Sequence, residues 1–103
     1  MHSRSVGLES SAAQLQELIR QRGDYAHVHV QARAGHLLIK TRDAQGMEDI
    51  VARATPLGGG AYTLAFRTHA GRWEPMPVSG TMGQIVEDVI GLLGPYLDRQ
   101  NLS

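Results

Sequence analysis

A chain of 103 residues suits a single domain, and a 42% hydrophobic content spread along its whole length supplies a core without metals or crosslinks. Cysteine is absent, which excludes disulfides, thiolate metal sites and cysteine nucleophiles and fits a reducing cytoplasm. Ten basic residues balance ten acidic ones, so no whole-molecule field steers a polyanion, and the apolar runs fall far short of the roughly 18 residues of a membrane span.

Residues 1–9 are small and polar, lack periodicity and lack the apolar stretch of a secretory signal, so they read as a flexible tail before one domain over residues 10–103. Ser10 or Ser11 is expected to cap a first helix, because Ser11 and Gln14 have capping-box spacing. Ala12, Leu15, Leu18 and Ile19 then fall on one face, and Gly23 is placed to end the helix in a left-handed turn. So narrow a stripe predicts a helix that forms only when laid on a sheet.

From Ala26 the period changes to two. Val28, Val30 and Ala32 alternate with polar residues, and after Ala34-Gly35 so do Leu37, Ile39 and Thr41. A two-residue loop pairs Val30 with Ile39 and Ala32 with Leu37, which gathers the apolar side chains on one face. A three-residue loop would set Val30 against Leu38 instead, and the first register is preferred. Residues 47–55 leave two readings open. Met47, Ile50, Val51 and Ala54 have helical spacing with Glu48 and Asp49 near the N-terminus, whereas Ile50, Ala52 and Ala54 also alternate and Thr55 precedes a proline. The strand is preferred, with residues 56–60 as a hairpin loop.

Tyr62, Leu64, Phe66 and Thr68 form the next alternating face. A two-residue loop at Ala70-Gly71 then sets Thr68 opposite Trp73, Arg67 opposite Glu74 and Phe66 opposite Pro75, which predicts the only Trp buried beside the only Phe and the second helix. Pro75 and Pro77 deny backbone donors to that last strand, so it belongs at a sheet edge. Thr81 and Gln84 form a second capping box, and Met82, Ile85, Val86, Val89, Leu92, Leu93, Tyr96 and Leu97 trace an apolar stripe broken at Gly94-Pro95. The expected fold is α+β: a two-layer sandwich in which an antiparallel sheet of four or five strands carries N- and C-terminal helices on one face.

These registers collect His27, His29, Arg33, His36, Lys40, Arg42, Arg53, Arg67, His69 and Arg72 on the uncovered face, with Glu74 as its one clear carboxylate. The candidate binding face is therefore His27, His29, Arg33, His36, Lys40, Arg42, Arg67 and Arg72. Such a basic side suits phosphates or an acidic partner, although alternating long polar side chains are also what any solvated sheet face needs. With Tyr62, Phe66 and Trp73 all assigned inward, no aromatic is left to stack a base. The helix-sheet-helix order is shared with double-stranded RNA-binding domains, but the second helix opens on Thr81-Met82-Gly83-Gln84, without a cation to meet phosphates. His27 and His29 point the same way, yet Lys40 and Arg42 lie opposite them and repel a metal ion. Gly58-Gly59-Gly60 leads into a strand rather than a helix, unlike a phosphate-binding loop. No nucleophile-base-acid arrangement is recognisable. The expectation is a non-enzymatic, cytoplasmic interaction or accessory domain without cofactor or metal, bound to a protein partner or to a second copy of itself. A nucleic-acid-binding module using the basic face is the alternative.

Overall fold

The computed structural model describes residues 3–68 and 70–91. Helix α1 spans Ser3–Arg20, followed by strands β1 (Val28–Arg33), β2 (His36–Arg42), β3 (Glu48–Gly58), β4 (Ala61–Arg67) and β5 (Trp73–Thr81). A second helix, α2, is described over residues 82–91. The strands form one five-stranded antiparallel sheet in the order β1-β2-β3-β4-β5. Ala12, Leu15 and Ile19 from α1 and Ile85, Val86 and Val89 from α2 share one core with Val28, Leu37, Ile39, Ala52, Ala54 and Leu64, so both helices cover the same sheet face. The expected α+β sandwich is thus the observed one, and residues 47–55 lie in strand and connection rather than helix.

The first hairpin has the preferred register, with Val30 opposite Ile39 and Ala32 opposite Leu37. Its two loop residues are both left-handed, Ala34 at φ 52° and Gly35 at φ 81°, the geometry of a type I′ turn whose twist matches that of the strands. Central strand β3 contributes only alanines at its fully buried positions, and larger core side chains such as Leu15 and Ile85 come from the helices. Between the pairs Ile39–Ala52 and Lys40–Ile50 it carries one extra residue, Val51, which packs on the core. Pro56 is tolerated in this strand because β2 pairs with it only as far as Ala54.

The sheet edges are β1 and β5. Strand β5 is an edge, as its prolines require. At the other edge α1 supplies side chains to the unpaired backbone of β1: Gln16 Oε1 accepts from the Val30 N–H at 3.0 Å, and Arg20 Nε donates to the Val28 carbonyl at 3.1 Å. These contacts occupy part of the β1 edge, and Pro75 and Pro77 remove donors from β5.

Four expectations are corrected. Helix α1 begins at Ser3, so Ser10 and Ser11 lie inside it rather than capping it; Leu8, packed on the core, extends the Ala12–Leu15–Ile19 stripe by one turn. Gly23 has φ 157°, close to extended rather than left-handed helical, and the Tyr25 ring stands against it. The loop expected at residues 56–60 shrinks to a turn at Gly59 and Gly60, with Leu57 extruded as a bulge between the pairs Pro56–Tyr62 and Gly58–Ala61.

The last correction moves Trp73. The second hairpin pairs Arg67 with Trp73, Phe66 with Glu74 and Ala65 with Pro75, one residue out of the expected register. Thr68 N–H donates to the Arg72 carbonyl at 2.8 Å, and Arg72 N–H donates to Thr68 Oγ1 at 3.1 Å, so three residues rather than two lie between the closing pair. Gly71, at φ 79°, takes the left-handed position that such a loop needs. A one-residue slip exchanges the faces of a strand. Trp73 therefore stands on the uncovered face and Glu74 leaves it. His69, Leu92, Leu93, the Gly94-Pro95 break, Tyr96 and Leu97 lie outside the described residues.

Candidate functional site

Opposed residues share a face, so the registers define the open side of the sheet strand by strand. It carries His29, Gln31 and Arg33 from β1, His36, Leu38, Lys40 and Arg42 from β2, Glu48, Ile50 and Arg53 from β3, Ala65 and Arg67 from β4, and Trp73 and Pro75 from β5. The basic residues on it are not equivalent, because acids reach only some of them.

On the β1–β2 side the positive charge is largely compensated. Arg42 Nη2 donates to Glu48 Oε2 at 2.6 Å, Lys40 Nζ lies 3.8 Å from Glu48 Oε1, and Lys40 also donates to Gln31 Oε1. The hydrogen bond from Arg42 holds the Glu48 carboxyl below its ordinary range, with the nearby Lys40 charge acting in the same direction. His29 is driven toward its neutral form by burial first and then by the charges of Arg42 and Arg20. Its Nδ1 lies 3.2 Å from Arg20 Nη2, and since a guanidinium can only donate, Nδ1 is the acceptor there. His27 stands beside Tyr25, ring centres 6.3 Å apart, and His36 Nδ1 is hydrogen-bonded to Thr55 Oγ1 at 2.8 Å. Arg33 is exposed at the hairpin end.

The β3–β5 side is organised around Trp73. The guanidinium carbon of Arg53 lies over the indole, 4.5 Å from the ring centre, and that of Arg67 lies 5.3 Å away. Arg53 crosses β4 to get there, which it can do because the outer-face residue between them, opposite both Arg53 and Pro75, is the short Ala65. Arg53 Nε is buried and has no hydrogen-bond partner. Neither arginine forms an ion pair among the described residues.

Of the eight candidate residues, the fold brings His29, Lys40 and Arg42 together around Glu48, sets Arg33 and His36 opposite each other, and carries Arg67 to the far side. Arg72 pairs with Thr68 and follows the phase of Phe66, not that of Trp73. Arg53 was legible as an outer-face residue but Trp73 was not. The signal that locates Trp73 is Thr68, whose side chain and backbone both bind Arg72 and fix the longer loop. Among the described residues no group of three His, Asp or Glu could hold a metal ion, and no helix is long and apolar enough to cross a membrane.

No protein-family model, curated protein or solved structure matches this chain.

Proposed function

We propose that the protein is a small non-enzymatic interaction domain that meets a protein partner through the open face of its sheet. The observation that carries this reading is a sheet with both helices on one face, which leaves on the other a half-exposed tryptophan and two arginines without an ion pair among the described residues. Half-exposed Trp with Arg is the composition enriched at energetically important interface positions. A cytoplasmic setting belongs to the same reading.

The test is a photo-crosslinking amino acid placed at Leu38 on the open face and, as control, at exposed Ala13 on α1. A protein captured from native lysate at position 38 and not at 13 supports the reading; capture only at 13, or at neither, overturns it.

A nucleic-acid-binding module is the second reading, and the outward position of Trp73 beside two arginines is what favours it. It predicts affinity that falls steeply with salt, because neutralised phosphates release counterions, and that weakens, with a flatter slope, in Arg33→Ala/Lys40→Ala/Arg42→Ala. Nuclease-resistant capture and no salt-sensitive binding would remove it.

A further inference from the structure

We infer that Arg53, Arg67 and Trp73 form a clamp for the side-chain carboxylates of an acidic segment in the partner; this rests on the interaction-domain reading and names the chemistry of its site. Three adjacent strands supply the three side chains, and the two guanidinium carbons lie 4.5 and 5.3 Å from one ring centre. A guanidinium held over an aromatic ring keeps its in-plane N–H edge available, and that fork matches a carboxylate bidentately. Among the described residues no acid pairs with either arginine. The register that puts Trp73 opposite Arg67 puts Glu74 opposite Phe66, and the ion pairs among the described residues engage Arg22, Lys40 and Arg42 only. Arg53 Nε is buried without a hydrogen-bond partner among the described residues, so the groups left to meet a carboxylate are its Nη nitrogens.

Charge and ring geometry select an acidic peptide over a nucleic acid. A base needs a free aromatic face, and the indole is already in contact with Arg53 and Arg67. A phosphate chain needs a track of free cations, whereas Lys40 and Arg42 are paired with Glu48, whose carboxylate lies on the same face. Two free guanidiniums fit one or two carboxylates.

Trp73 is the single tryptophan and so reports on its own site. The full chain is titrated with a Glu-rich synthetic peptide, its Gln counterpart and an oligothymidylate, following Trp emission. The Glu-rich peptide is expected to give a saturable change and the Gln peptide none. Arg53→Gln and Arg67→Gln should each weaken binding about tenfold, the loss of one hydrogen bond to a charged group, whereas Arg33→Gln, which removes equal charge from the hairpin end, should leave affinity within about twofold. Arg53→Lys keeps the charge and stem and so preserves the fold, and it too should weaken binding because an ammonium lacks the fork. A response shared by the Gln peptide, tighter binding of oligothymidylate, no saturation, or folded Arg53 and Arg67 variants that bind like the parent would each overturn the clamp. Failure of the clamp and failure of the interaction reading are separable. A partner crosslinked at position 38 that the Glu-rich peptide does not displace refutes the clamp alone, while absence of any crosslink at 38 refutes the broader reading.

Discussion

Trp73 is the largest side chain in the protein and contributes little to its core. The guanidiniums of Arg53 and Arg67 lie over its ring on the open face, and it is not part of the buried cluster. Trp73→Ala should therefore cost about 1 kcal/mol, the scale of cation–π contact and partial burial, whereas Leu64→Ala, at a position 1% exposed, should cost about 2 to 5 kcal/mol. Urea melts of the two variants check this, and a Trp73→Ala loss as large as that of Leu64→Ala would return the indole to the core. Thr41 is the opposite case. Its residue is 1% exposed and its Oγ1 has no hydrogen-bond partner, so the hydroxyl is buried without compensation. Thr41→Val keeps the shape and β-branching and removes that group, and a gain of about 1 kcal/mol in the same melts is expected. A loss of similar size would mean that the hydroxyl is satisfied in solution.

At the scale of elements, the joint between β5 and α2 is the most completely determined. Gln84 Oε1 accepts from the Thr81 N–H at 2.9 Å, and Gln84 N–H donates back to Thr81 Oγ1 at 3.3 Å, a reciprocal cap. Gly80 makes room for it: a Cβ there would lie 2.1 Å from Gln84 Oε1. Gln84→Ala and Gly80→Ala should each lower stability by about 1 kcal/mol, and the double variant should lose little more than either alone, since both break the same cap. Additive losses in a double-mutant cycle would show that Gly80 acts elsewhere. This cap was legible because both halves lie within four residues, and the edge position of β5 was legible because Pro75 and Pro77 forbid donation whatever surrounds them. The first hairpin was readable for a related reason, since only one register placed Val30, Ala32, Leu37 and Ile39 on one face. The second hairpin had a competing pattern. Pairing Arg67 with Glu74 satisfied charge and placing Trp73 on the Phe66 face satisfied hydrophobicity, but both are weaker than the loop hydrogen bonds of Thr68 and the left-handed Gly71. The position of Trp73 on the open face follows from that local geometry. Similarly, the occupation of part of the β1 edge by Gln16 and Arg20 depends on where α1 lies, which periodicity does not encode.

For the whole molecule, equal numbers of acidic and basic residues conceal two different couplings to pH. Glu87 is bound by Arg22, which joins the C-terminal end of α1 to α2, and Glu48 is bound by Arg42. In both, the hydrogen bond from arginine holds the carboxyl below its ordinary value of 4.5. The folded state therefore binds protons less readily than the unfolded chain; these pairs contribute above that value, and the contribution is lost as pH falls through the lower folded range. His29 acts in the same direction at higher pH. Burial, followed by the charges of Arg42 and Arg20, holds its folded value below 6.5. There is no cost while both states are neutral, and a cost grows as pH falls below 6.5 because the unfolded chain takes up the proton first. The thermal midpoint should then decline on acidification in two stages, one beginning near the ordinary histidine range and one near the ordinary glutamate range. His29→Gln should flatten the first stage and leave the second; Glu48→Gln/Glu87→Gln should flatten the second, and only modestly, because these exposed carboxylates are screened by water and salt. Melting scans from neutral to acid pH, at low and moderate salt, separate the stages. A first stage that persists unchanged in His29→Gln would show that another group is responsible, and a second stage insensitive to salt would show that the arginine pairs are not its source.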